Sequence, residues 1–325
     1  MMIWLDYFCR MHSNDYVLPE ERLGDPRRDL AYFIWRRVDK FYDTGREMPQ
    51  DADYLWFSML FPFTLPYLTT GPAKPQLVLP SQPLGLLLTR PTAALLANAS
   101  PPVGDAYWIA ELGDRVVYID VPHGAVTIAE SFQLRALFAR RLQSDQNDRI
   151  MMIGLVADRG SERAHGRMFA LLERDGRVIP ALDEKLRPMT HLGPRSPFNL
   201  DPASEPVARE RAADFLRLAL AYYFFGPKEA RQPILVTPTI RLNAGKPRKE
   251  ESLFAMVRLQ PARDRLGRPD ATISTNWSLT ARQEVSGHFK LQPHGAGGSL
   301  RKLIWVAAYD RGPDNAPIKP KAYRI

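Results

Sequence analysis

The amino-acid sequence predicts an α+β fold, in which N-terminal helices and a long buried helix near 204–225 pack on a central mixed or antiparallel sheet, with a basic C-terminal strand segment. Three observations carry that expectation. Apolar residues recur at spacings of three and four over 29–42, the period of a helix. Short aromatic and β-branched runs flank Gly113-Asp114 and Asp175-Gly176, pairs suited to tight hairpin turns. The apolar segment FLRLALAYYFF ends at Gly226-Pro227, a pair that stops a helix.

Taken in order, DLAYFIWRRVDKFY at 29–42 places Leu30, Phe33, Ile34, Val38, Phe41 and Tyr42 at helical spacing, with Arg36, Arg37, Asp39 and Lys40 largely between them. Residues 51–68 continue as a second apolar helical region, which Pro62 and Pro66 should break or kink because each removes a backbone donor. The proline-rich stretch 69–104 reads as an irregular connection on the surface of the core, with room for a short helix over 91–98. YWIAEL at 107–112 and RVVYIDV at 115–121 read as a hairpin turning at Gly113-Asp114. A helix is expected over roughly 130–143, then a buried strand in IMMIGLVAD at 150–158. MFALLER at 168–174 and RVIPAL at 177–182 form a second hairpin around Asp175-Gly176.

The helix from about Ser204 to Phe225 has Ser204 as N-cap and Pro206 in its first turn, and Gly226 is expected to supply a left-handed cap. LFAMVRL at 253–259 and KLIWVAAY at 302–309 are the last strand segments. The chain divides into a helix-and-sheet core, 1–240, and a basic segment, 241–325, that completes or extends the same sheet.

At 325 residues, with 45% hydrophobic and 25% charged residues, the composition is that of an ordinary globular protein. Cys9 is the only cysteine, which excludes an internal disulfide and a cysteine-rich zinc site and suits a reducing cytoplasm. The opening MMIWLDYFCR has no basic leader and includes Asp6, so it does not read as a secretion signal. LWFSMLFPFTLPYL at 55–68 is too short to cross a bilayer as a helix, and no membrane partner is expected.

The formal charge of +8 is unevenly placed. Residues 241–325 hold sixteen Lys or Arg against seven Asp or Glu, whereas the rest of the chain is close to neutral. Such a basic region attracts RNA, DNA or an acidic protein through long-range, salt-sensitive forces, and it equally serves as a solvated face that maintains solubility.

The sequence contains no G-x-x-x-x-G-K-[ST], no His-Glu-x-x-His and no G-x-S-x-G, so the common nucleotide, zincin and serine-hydrolase signatures fail and neither cofactor nor metal is expected. Asp120 and Asp158 end strand-like runs, where turn chemistry explains them as well as catalysis does. The most suggestive stretch is GHFKLQPHGAGGSLRKLIWV, residues 287–306. Metal-independent cleavage of RNA by His288 and His294 would need two imidazoles across one phosphate, with a cation from Lys290, Arg301 or Lys302. In an unbroken strand, residues six apart share a face but stand about 20 Å from each other, so the pair would meet only through a bend at Pro293. The alternative is an anion-docking surface. Gly297 and Gly298 lie in a loop able to present backbone N–H groups to an anion, and Trp305 either stacks on a base or peptide or faces the core.

Several quoted features together resemble a known family, the large type V-A anti-CRISPR proteins encoded by mobile elements of phage or plasmid origin. They are the strand pair YWIAELGDRVVYIDV, the apolar helix FLRLALAYYFF with its Gly/Pro stop, and a closing stretch in which Gly287-His288-Phe289 precedes a glycine-containing loop, a basic segment and a Trp-bearing strand. Where family members carry arginines before the Gly-His pair, this chain has Glu284, Val285 and Ser286. The resemblance implies a cytoplasmic protein that binds the nascent peptide of a target on the ribosome and brings about loss of its messenger RNA. A binding protein is expected rather than an enzyme, and if an enzyme, a ribonuclease. The expected contact residues are Gly287, His288, Phe289, Lys290, Gly297, Gly298, Arg301, Lys302 and Trp305.

Overall fold

A computed structural model describes residues 16–42, 52–69, 83–99, 111–130, 132–143, 148–158, 166–181, 190–192, 204–234, 255–261, 282–285, 288–294, 300–306 and 309–311, together with 9, 13–14, 239–240, 248–249 and 313. The fold is α+β and is built from four α-helices and a large mixed sheet among these residues.

Asp25 begins the first helix, α1 (Pro26–Tyr42), where its carboxylate accepts the backbone N–H of Arg27 at 2.9 Å and so satisfies one of the helix's orphan donors. Leu30, Ala31 and Ile34 are fully buried on its inner face. The buried Asp29 accepts the hydroxyl of Ser13 and the backbone N–H of Leu23, which ties the preceding segment to the first turn. Asp29→Ala should cost about 2 kcal/mol, because two groups bonded to a buried carboxylate lose their acceptor; urea unfolding checks it.

The second helix, α2 (Ala52–Thr69), runs on through Pro62 and Pro66 instead of breaking there. The Thr64 hydroxyl donates within the helix, to the carbonyls of Leu60 and Phe61, both at 3.2 Å. Residues 56–64 are buried all round, so tertiary packing holds together a helix that local chemistry disfavours.

The stretch expected to be an irregular surface connection instead supplies a central strand. In β1 (Pro83–Leu88) the proline occupies the first strand position, where a missing N–H is tolerated. Thr89 then caps α3 (Arg90–Ala97) by accepting the Thr92 N–H, while Thr92 Oγ1 donates to the Leu259 carbonyl at 3.0 Å. The expected hairpin at Gly113-Asp114 is also absent. Glu111 and Leu112 form a helical turn, Gly113 has φ of 55°, and β2 (Val116–Asp120) pairs in parallel with β1 rather than with the chain just before it. Residues 107–110 of that expectation lie outside the described residues.

After the short β3 (Thr127–Ala129), the segment expected as a helix forms β4 (Phe132–Gln143). Its Leu, Arg, Ala and Gln residues favour helices locally, but pairing with β2 on one side and β5 (Asp148–Asp158) on the other overrides that preference. The meander continues through β6 (Gly166–Glu173) and β7 (Val178–Pro180), whose turn has Gly176 at φ 94° as its Asp-Gly pair predicts. β8 (Thr190–Leu192) pairs with β6.

The long helix α4 (Ser204–Phe225) matches its expected span. It is followed by β9 (Arg231–Ile234), a two-residue ladder of β10 (Thr239–Ile240) with β11 (Arg248–Lys249), and then β12 (Ala255–Leu259). The sheet order is β7-β6-β5-β4-β2-β1-β12-β9, with β2, β1 and β12 parallel and the remaining neighbours antiparallel. The segment after residue 240 thus contributes β12 to the interior of the sheet.

Side-chain alternation divides the core between two faces. Val117, Ile119, Leu137 and Ala139 pack with α3 and α4. Val116, Tyr118, Ala136 and Phe138 pack with α1 and α2, where Phe138 meets the Trp56 ring edge-on at 5.1 Å. Because both faces are covered, these strands lack the apolar-polar alternation that would mark them in a sequence.

Candidate functional site

The stretch 287–306 folds as a two-stranded antiparallel ribbon, β14 (His288–His294) against β15 (Leu300–Val306). A second ladder, β13 (Gln283–Val285) with β16 (Tyr309–Arg311), has the same pairing register. Neither ladder belongs to the ten-stranded sheet.

Phe289 and Trp305 are direct cross-strand partners with ring centroids 5.1 Å apart, and they form the attachment. Phe289 is 5% exposed and lies 6.1 Å from the Tyr222 ring; Trp305 lies 5.7 Å from the Phe225 ring. Four aromatic rings therefore fix the ribbon to the C-terminal end of α4, in the tilted and edge-to-face arrangements that aromatic quadrupoles favour. Trp305 takes the core-facing option of the two considered from sequence.

The pleat turns the neighbouring residues to the other face. There Lys290 and Gln292 are exposed and His288, Ile304 and Val306 are half-buried. By register Lys302 stands opposite Gln292 and His294 opposite Leu300, both in the row of His288 and Lys290, whereas Arg301 stands opposite Pro293 in the row of Phe289. Gly287, Gly297 and Gly298 lie outside the described residues. Strand geometry therefore divides the sequence-derived set into an anchoring row, Phe289 and Trp305 with Arg301 in phase, and an opposite row of His288, Lys290, His294 and Lys302, a cationic row by register.

β14 continues without a break through Pro293. His288 and His294 stand at opposite ends of the ladder, a separation of about 20 Å for seven extended residues. That spacing does not place two imidazoles across one phosphate. Lys290 and Lys302 are nearer in register to each histidine than the histidines are to one another.

Sequence reading did not anticipate a buried charged row on the face under α1 and α2. Arg135 is fully buried at a bulge in β4, Arg167 is 8% exposed with its guanidinium 5.5 Å over the Trp56 ring, and Asp120, 9% exposed, accepts the Tyr118 hydroxyl at 2.7 Å. Arginines inside the apolar runs FQLRALF and GRMFALL are the available sequence signal. Buried guanidiniums over aromatic faces are a packing device as well as a chemical one, and Asp120 is fixed by its tyrosine partner rather than standing as a turn residue. Among the described residues no three His, Cys, Asp or Glu side chains are grouped to hold a metal, and no helix is long and apolar enough to cross a membrane.

No protein-family model matches this chain, and no curated protein matches it.

Proposed function

We propose that this protein is an anti-CRISPR-like inhibitor encoded by a mobile genetic element, which binds a nascent polypeptide, RNA or both in the cytoplasm to lower production of a target protein. The observation that supports this reading most directly is the ribbon itself. Its aromatic row is consumed in docking to α4, so the opposite row, with Lys290 exposed and His288 half-buried, is presented outward from a fixed base. A cation presented from a fixed base meets a polyanion with little ordering cost of its own, and a two-stranded ribbon fits a nucleic-acid groove. The excess of basic residues after position 240 adds a long-range field of the same sign.

The test is binding of RNA, and of peptides from the start of candidate target proteins, by the wild type and by a variant with His288, Lys290 and Lys302 changed to alanine. RNA affinity should fall, and the slope of log K against log salt should become shallower by about 0.7 for each phosphate of a single strand that the variant no longer neutralises. Unchanged binding to both RNA and peptide would overturn the proposal. A ribonuclease built on His288 and His294 would need their imidazoles across one phosphate, whereas β14 sets the two backbone positions about 20 Å apart.

A further inference from the structure

A cavity of about 420 Å³ opens between the segment 16–21 and α1. Its size lies in the range of about 300–1,000 Å³ usual for ligand sites. Tyr16, Tyr32 and Phe33 form its aromatic walls, and they are held in place from behind. Tyr16 meets Phe57 edge-on at 5.2 Å and Phe33 at 5.8 Å, and Tyr32 leans on Trp35 at 5.9 Å. The Asp29 bonds to Ser13 and Leu23 hold the segment that forms the opposite side.

The rim is of a different character. Leu18, which lines the cavity, is 56% exposed and is one of the four large apolar side chains that stand exposed among the described residues. An apolar side chain left exposed at the mouth of an aromatic cavity is a contact offered to whatever enters it. Arg36 closes the rim, with its guanidinium 5.8 Å over the Tyr32 ring and one donor on Glu21 at 3.0 Å. A guanidinium has five N–H groups in a fork, so Arg36 retains donors for an incoming carboxylate while remaining stacked.

We propose that this cavity is the seat for an aromatic residue of a bound polypeptide, with an adjacent Asp or Glu of that polypeptide held by Arg36. The inference rests on the peptide-binding part of the function proposed above and assigns it to a second place, separate from the cationic ribbon. Aromatic walls favour an aromatic side chain through edge-to-face packing, the exposed leucine covers the neighbouring backbone, and the charge at the rim selects the flanking residue. The terminal strands of the main sheet order are poor competitors for a peptide, since β7 ends in Pro180 and β9 contains Pro233, and a proline cannot complete a ladder with an added strand.

The experiment is selection from a displayed random-sequence peptide library on the full-length wild type, on Leu18→Asp, and on the exchange Glu21→Arg with Arg36→Glu. All three altered positions lie at the rim, so the fold is expected to survive, and melting curves verify it. Wild type should enrich peptides with an aromatic residue beside an acidic one. Leu18→Asp should bind those peptides about tenfold more weakly or worse. The charge exchange should keep the aromatic residue and replace its acidic neighbour with Lys or Arg. An enriched motif that is the same on all three proteins would overturn the seat while leaving peptide binding intact. Absence of any enrichment on the wild type would overturn both the seat and the peptide reading.

Discussion

Phe289→Ala should release the ribbon from α4 at a cost of about 3–5 kcal/mol while leaving the ten-stranded sheet folded. The residue is 5% exposed, belongs to the core that α3 and α4 share with the sheet, and touches both Tyr222 and its cross-strand partner Trp305. Truncation leaves a void that Trp305 cannot fill without leaving Phe225, so relaxation around the site restores little of the packing. The ribbon pairs with no strand of the large sheet, and its release is therefore local. Amide hydrogen exchange in residues 288–294 and 300–306 should accelerate by about a hundredfold or more, with β4 and β5 unaffected. If the ribbon binds RNA as proposed, that affinity should fall with it, even though Phe289 faces away from the cationic row. Ribbon amides that stay protected would show that the aromatic cluster is not what holds the ribbon.

This attachment also separates what the sequence made legible from what it did not. The helix at 204–225 and the Asp175-Gly176 hairpin were readable because their signals are local: a long apolar segment with a stop, and a pair that favours positive φ. β1 and β4 were not, because their state is decided by partners far along the chain. β1 lies between β2 and β12, separated from β12 by more than half the sequence, and its leading proline suggested a loop. β4 is made of good helix formers that cross-strand pairing holds extended. The hairpin expected at Gly113-Asp114 shows the same effect from the other side, since a turn pair was present and the strand found its partner elsewhere.

The site was legible as a stretch but not as a surface. Reading 287–306 located the residues, and only the register divided Phe289 and Trp305 from His288 and Lys290. The cavity by α1 left no comparable trace. Tyr16, Tyr32, Phe33 and Arg36 come from two segments whose approach depends on Asp29, and the aromatic density there reads simply as core.

Gly226→Ala should destabilise the protein by about 3 kcal/mol, at the upper end for forced overpacking, and should act on the same junction as Phe289. The reason for glycine here differs from the left-handed cap expected from sequence, since Gly226 is not among the positive-φ glycines. A Cβ at this position would sit 2.2 Å from the backbone oxygen of Tyr222, and a backbone atom cannot give way as a flexible side chain can. The last turn of α4 would have to open, weakening the bond from the Gly226 N–H to the Tyr222 carbonyl at 2.9 Å. Tyr222 also donates its hydroxyl to the Gln260 carbonyl at 2.9 Å, just beyond β12, and faces Phe289. A shift there is therefore felt by helix, sheet and ribbon together. Urea unfolding of the wild type, Gly226→Ala, Phe289→Ala and the double variant measures the connection. The double should lose less than the two singles combined, by roughly 0.5–3 kcal/mol, because the second substitution acts on packing that the first has already loosened. Additive losses would mean that the end of α4 and the ribbon are independent, and a neutral Gly226→Ala would refute the close-approach account of this glycine.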